Sequence, residues 1–369
     1  MAYQNVGGSP RFFIDNYQYL RAIGLDPSNY YNMESLGRHR TTLDNPDSYT
    51  LDPINAKSFI NEDDSQIMRF HIPCGNQVSK MDLSGNMKWY TAVLNHNFGS
   101  NNINLQNIMF MDEVGATAGL YDTDGNPSRV LNLESDGNSQ DGSTIMYTDN
   151  IASDESRVFA GFQIHNQDTD DLLTDVGIGA ISTGIMYTMP QSADLKLTME
   201  IENDGYKSTT TSGGSTLTNI NYLGSPNWVN QSKFINPFGI GEYSDNQYLD
   251  GAKRNGRRNW TLKFSYISDK DLFSSNYMAN NYTETTTDYD SNDIDTEGQF
   301  EFNIFTDDSF VAQVWNKTCG GALPFIFQPD SSNSNPDQFC LARFDQDTLQ
   351  VKQVAYQIYD ISIKITEVW

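Results

Sequence analysis

Positive charge, cysteine and long apolar runs are all scarce in this sequence. Lysine and arginine together number 23 against 48 aspartates and glutamates, which leaves a net charge of −25. A surface of that sign repels phosphate, so a general nucleic-acid-binding surface is excluded and sequence-specific nucleic-acid recognition is not expected. The charge suits a solvated acidic exterior, or an acidic lumen through which DNA slides without sticking. Cys74, Cys319 and Cys340 are the only cysteines. Three scattered thiols make no disulfide framework, and Cys319 and Cys340 read as buried small hydrophobes. No stretch reaches the roughly 18 apolar residues of a membrane-crossing helix, so no membrane span is expected. Met1 to Gly8 lacks the basic stretch and apolar run of a signal peptide. Absent too are the Gly-x-Ser-x-Gly elbow, the His-Glu-x-x-His pair and the phosphate-binding loop. His39, His71, His96 and His165 show no metal-ligand spacing. With 48 acidic residues, nominating any two as glycosidase acid and nucleophile has no specificity. No catalytic activity and no cofactor are expected.

What is abundant points to strands and turns. Twenty Phe, 20 Tyr and five Trp supply burial, and Asn, Asp, Ser, Thr and Gly are plentiful. Aromatic and β-branched residues suit a pleated surface, while Asn, Asp and Gly suit tight turns. Alternation of polar and apolar residues predicts strands over Gln66–Ile72, Trp89–Leu94, Arg157–Ile164, Leu195–Ile201 and Trp260–Ile267, with a further strand over Ile178–Met189. Turn signals recur at Ser84-Gly85-Asn86, Thr123–Pro127, Ser135–Asn138 and Asp141-Gly142. Short strands with frequent turns predict an all-β chain of β-sandwich domains with long loops and an extended N-terminal arm.

The domain reading follows composition. Residues 1–65 form the N-terminal arm, with a short helix at Tyr17–Ile23 closed by Gly24. Residues 66–205 form a β-sandwich domain, and 206–258 a loop-rich connection containing the flexible turn Ser212-Gly213-Gly214-Ser215. Residues 259–369 supply C-terminal strands packed with that sandwich. Within them, 276–298 reads as an exposed acidic loop, and Asp307–Asn316 as a strand or as a helix with Asp307 or Asp308 as N-cap. The closing strand, Tyr356–Trp369, sits central in its sheet or pairs across a subunit boundary.

Four local constellations carry possible chemistry. Asp122 and Asp124 place oxygens at alternate positions, as calcium loops do, but Pro127 stands where that loop needs glycine. A plain turn is the first reading there, and a solvated turn at Asp168, Asp170 and Asp171, with weak cation binding as the alternative. Tyr222 and Trp228 suit either core packing or stacking on sugars. Lys253, Arg254, Arg257 and Arg258 put four positive charges within six residues of an acidic chain. They read as a loop balancing local acid, or as an inter-subunit clamp whose arginine forks meet a neighbour's carboxylates. With Trp369 they form the set of candidate inter-subunit contacts.

Arg258-Asn259-Trp260-Thr261-Leu262-Lys263-Phe264-Ser265-Tyr266 resembles the Arg-x-Trp-x-Leu-x-Phe-x-Tyr strand of tailed-bacteriophage virion proteins. Gly320-Gly321-Ala322-Leu323-Pro324-Phe325-Ile326-Phe327 and the ending Glu367-Val368-Trp369 follow in the order seen in minor tail and distal tail proteins. Tyr187-Thr188-Met189-Pro190, Asp194–Met199 and the opening Met1–Gly7 are similar to structural proteins of marine phages. The tail-tip likeness covers roughly 255–369. It implies a structural virion protein that forms a ring at the tail tip or baseplate through β-sheet and arm contacts, with partners that are other copies of itself and other virion proteins. The alternatives are a capsid decoration, cement or head-fibre protein, a tail-tube subunit, and a carbohydrate-binding receptor-binding module. The resemblance transfers no catalytic residues.

Overall fold

The structure, a computed structural model, describes residues 7–24, 32–35, 40–42, 57–59, 67–73, 85–96, 98, 103–111, 121–122, 128–131, 142–148, 159–166, 176–195, 197–203, 206–220, 234–235, 248–249, 256–273, 307–335 and 338–368. The first strands are β1 (Arg11–Asp15), β2 (Asn32–Ser35), β3 (Arg40–Thr42), β4 (Lys57–Phe59), β5 (Ile67–Pro73), β6 (Met87–His96), β7 (Ile103–Met111) and β8 (Tyr121–Asp122). Next come β9 (Ser128–Leu131), β10 (Gly142–Thr148), β11 (Phe159–Asn166), β12 (Val176–Ile178), β13 (Ala180–Thr188), β14 (Thr198–Glu202), β15 (Tyr206–Thr210) and β16 (Thr216–Ile220). The last are β17 (Phe234–Ile235), β18 (Tyr248–Leu249), β19 (Arg257–Ser268), β20 (Phe325–Gln328), β21 (Cys340–Phe344), β22 (Val351–Ala355) and β23 (Ile358–Glu367). Two short α-helices, α1 (Asn16–Ala22) and α2 (Asp269–Leu272), and a π-helix, Val311–Asn316, complete the described elements. The fold is all-β, as composition and alternation predict.

An 11-stranded antiparallel sheet dominates, in the order β14-β19-β23-β21-β20-β1-β13-β6-β10-β9, with β22 also on β23. A six-stranded sheet runs β3-β2-β5-β11-β7-β8. Strand sequence follows position in the large sheet. At its centre, β13 is apolar or small throughout (AISTGIMYT) and buried along nearly its whole length. Toward one side, β19 and β23 bury alternate residues, the pattern of strands with one face in water. The closing strand β23 lies inside the sheet, as anticipated. It has β19 along one side, and β22 then β21 along the other.

The N-terminal segment departs from the arm reading. Strand β1 sits between β13 and β20, pairing Phe12 with Tyr187 on one side and with Phe327 on the other. Its consecutive apolar residues serve both faces, Phe12 and Ile14 in the main core and Phe13 in a second apolar layer with Tyr90, Met186 and Ile326. Residues 32–35 and 40–42 also belong to strands, in the six-stranded sheet. The main core draws Ile103, Leu105, Phe162 and Ile164 from the six-stranded sheet, so the two sheets share one apolar interior. Sheet membership therefore crosses the boundary drawn at 65 and joins the first strand to the last ones.

Phe12 is the hub of this interior. Its ring centre lies 5.3 to 6.0 Å from those of Phe310, Phe325, Phe327 and Phe344. Burying one such ring contributes a few kcal/mol, and truncating it to alanine costs about 3–5 kcal/mol. Helix α1 follows β1 directly, with the Asp15 side chain accepting from Gln18 N at its N-terminus. Where β1 runs into α1 the backbone passes so close to β13 that a Cβ on Gly184 would stand 2.1 Å from the Ile14 carbonyl oxygen. The helical alternative holds for the segment before Asn316, but with a wide π turn over Val311–Asn316. The Ser309 hydroxyl, and neither aspartate, accepts the backbone N–H of Ala312 at its start.

Residues 206–220 were expected as loop and instead form a β-hairpin. Tyr206–Thr210 pairs in register with Thr216–Ile220. Threonine-rich strands favour pleated structure, and Gly214 supplies the positive φ of 80° that the tip requires. Thr211 locks the tip: its Oγ1 accepts from Ser215 N and donates to Ser215 O, both at 3.1 Å. The predicted turn at Ser212–Ser215 is thus the ordered end of a hairpin.

Candidate functional site

Two strands of the large sheet position Arg258, and they turn it inward. Arg258 and Glu367 stand opposite each other at the joined ends of β19 and β23, each with a side chain only 1% exposed. Arg258 Nε donates to Glu367 Oε2 at 3.1 Å and Nη2 donates to Oε1 at 3.2 Å, a two-pronged contact. A further Nη2 bond of 3.2 Å reaches the Phe339 carbonyl, and the guanidinium lies 5.1 Å from the Trp260 ring centre. Arg258 is therefore an intrachain staple, not a fork offered to a neighbour. Arg257 is half-buried, beside Glu202 in the β14–β19 register. Lys253, Arg254 and Trp369 lie outside the described residues, as do Asp124, Asp168, Asp170, Tyr222, Trp228, Cys74 and the segment 276–298. Asp122 closes the short strand β8. Among the described residues, no three His, Cys, Asp or Glu side chains form a group able to hold a metal ion. No described helix is long and apolar enough to cross a membrane.

A second buried polar centre joins β1 to β13 and β6. The Asp15 carboxylate accepts from Ser182 Oγ at 2.9 Å, and Ser182 Oγ lies 2.6 Å from the Tyr90 hydroxyl. Burial pushes the Asp15 carboxyl up to about 6, partly offset by these donors. The Tyr90 phenol is raised well above its ordinary value by the same burial and by Asp15. Nearer the π-helix, burial lowers the Lys317 ammonium to about 7. Shifted groups of this kind occur at catalytic sites and in structural networks alike. Here Asp15 also caps α1 and Ser182 sits mid-strand, so the described partners assign the network to holding the first strand in place. Of the two thiols expected to be buried, Cys340 is and Cys319 is exposed, at a turn with φ 53°.

The surface that sequence reading missed lies at the margin of the large sheet. Strand β14 ends the sheet, and among the described residues no strand pairs with its outer side. Its side chains are almost all exposed, with Ile201 51% exposed despite being apolar. Three residues beyond β14, the β15–β16 hairpin forms a two-stranded sheet of its own. Every described side chain from Tyr206 to Asn219 is exposed except Thr211 at the tip. Tyr206 and Leu217 are 55% and 62% exposed. A two-stranded hairpin is marginal in water by itself, and unpaired strand edges are templates for further pairing. One signal in the sequence marks this place. The stretch 205–241, 37 residues long, is the longest without aspartate or glutamate in a chain that has 48 of them.

Comparison with protein-family models, with curated proteins and with solved structures finds no match for this chain.

Proposed function

We propose that this chain is a structural virion protein of a tailed bacteriophage, assembling as a ring at the tail tip or baseplate through sheet edges and an extended β element. The observation that carries the reading is that, among the described residues, β14 has no partner on its outer edge and the hairpin that follows it keeps its side chains exposed. Strand addition at such edges supplies main-chain hydrogen bonds and burial together, a mode of assembly open to β proteins without any chemistry. The segments that resemble tail-tip proteins are β19 and the block β20 to β23, contiguous in the large sheet except for β22 on the flank of β23. Strand β14 pairs with β19 at the end of that block, and the β15–β16 hairpin follows β14 in sequence.

The test is labelling of purified particles. Antibodies raised against the chain are expected to mark one end of the tail in electron micrographs, at on the order of six or twelve copies per particle, as a closed ring requires. Hundreds of copies on the head would move the protein to capsid decoration. Particles that carry no label overturn the virion reading.

A further inference from the structure

The geometry points to a head-to-tail contact between two copies of this chain, in which the β15–β16 hairpin of one copy adds to the open outer edge of β14 in the next. The inference rests on the assembly reading above and names its partner and its contact residues.

Charge selects the partner. Each copy carries −25, so most surfaces of two copies repel. The hairpin holds no carboxylate and one cation, Lys207, with its side chain exposed. The edge strand β14 presents Glu200 and Glu202. Acidic residues along an edge discourage pairing with another acidic strand and leave the edge open to one that is neutral or basic. The hairpin meets that requirement, and each copy offers both halves of the contact.

Shape and apolar exposure agree. Among the described residues, β14 lacks a partner on its outer side and the hairpin is bounded on both sides by unpaired edges. Neither β15 nor β16 contains proline or a register shift that would block further pairing. Ile201 on the edge and Leu217 on the hairpin are both exposed apolar side chains. Because the two contacting surfaces differ, the contact is heterologous, and repeated around an axis it closes a ring. A hairpin meeting a second hairpin would instead be isologous and stop at a dimer.

Complementation between two full-length variants tests this. One variant, Lys207→Glu with Leu217→Asp, spoils the hairpin and leaves the edge intact. The other, Glu200→Lys with Ile201→Asp, spoils the edge and leaves the hairpin intact. All changed side chains are exposed, so circular dichroism and the thermal midpoint should match the parent chain. Sedimentation is expected to show the parent as higher oligomers and each variant alone as a monomer. An equimolar mixture should give a heterodimer and nothing larger, since only one intact hairpin and one intact edge can meet. Variants that assemble like the parent, or a mixture that stays monomeric, overturn the contact. A parent monomeric at every concentration overturns it too. None of these results touches the particle-labelling test, so failure of the contact and failure of the virion reading are separable.

Discussion

At the scale of single residues, the chain buries charge where strands from distant parts of the sequence meet. Arg258 and Glu367 are 109 positions apart and close the β19–β23 pair with three hydrogen bonds and a cation over Trp260. Losing one partner of such a pair strands the other in a dry site, at a cost of about 3–5 kcal/mol. Asp15 gives the sharper prediction because its ionisation is linked to folding. Its carboxyl is raised from 3.8 to about 6 in the folded chain. Between those values the native state holds a proton that the unfolded chain releases, so this residue's contribution to stability falls as pH rises from about 4 to 6 and is flat above. Asp15→Asn keeps an acceptor for Gln18 N and removes the charge. Denaturant titrations should show the variant losing the decline between pH 4 and 6. At pH 7 it should gain up to about 3 kcal/mol, the equivalent of the shift. An unchanged pH profile would show that Asp15 is not the group responsible.

At the scale of elements, the first and the most exposed segments have opposite roles. Strand β1 is only five residues long, yet it joins β13 to β20 and carries Phe12 into the centre of the aromatic cluster. The hairpin is 15 residues long, from Tyr206 to Ile220, and its described side chains pack into no core. Removing residues 1–15 should therefore abolish cooperative thermal unfolding, because the sheet divides where β1 is lost. Replacing 206–220 with a short Gly-Ser link should leave the midpoint within about 3 °C of the parent, since little apolar area is withdrawn from burial. A truncated chain that still unfolds cooperatively at the parent midpoint would contradict the central position of β1. Sequence reading placed these residues in an N-terminal arm. The reason is local: Arg-Phe-Phe-Ile-Asp shows apolar residues in a row, and periodicity cannot say whether both faces are covered.

At the scale of the whole molecule, the net charge of −25 governs how copies meet. Long-range repulsion is screened as salt rises, the Debye length falling from about 30 Å at 0.01 M to about 8 Å at 0.15 M. An exposed pair such as Lys207 with a neighbour's Glu200 contributes about 0–1 kcal/mol and is also screened. The repulsion sums over the full surface, so it outweighs one pair. Self-association measured by sedimentation should therefore strengthen between 0.01 and about 0.15 M salt. Weakening over that range would mean that attractive charge pairs dominate the interface.

The sequence by itself determined the class of fold and several of the longer strands. Alternation placed β5, β6, β11, β14 and β19 close to their observed limits, because polar and apolar side chains must part to opposite faces wherever one face is wet. It also determined that no familiar reactive motif is present in the chain. What only the tertiary structure decided is which strands are neighbours and which side chains remain exposed. Arg258 reads as a surface cation until Glu367 is brought opposite, and Ser208-Thr209-Thr210 reads as loop until Thr216-Leu217-Thr218 pairs back upon it. Both outcomes depend on pairing between residues far apart or across a turn, and pairing leaves no period in a single strand. The outer edge of β14, unpaired among the described residues, belongs to the same class: it shows only once the other strands of the sheet are placed.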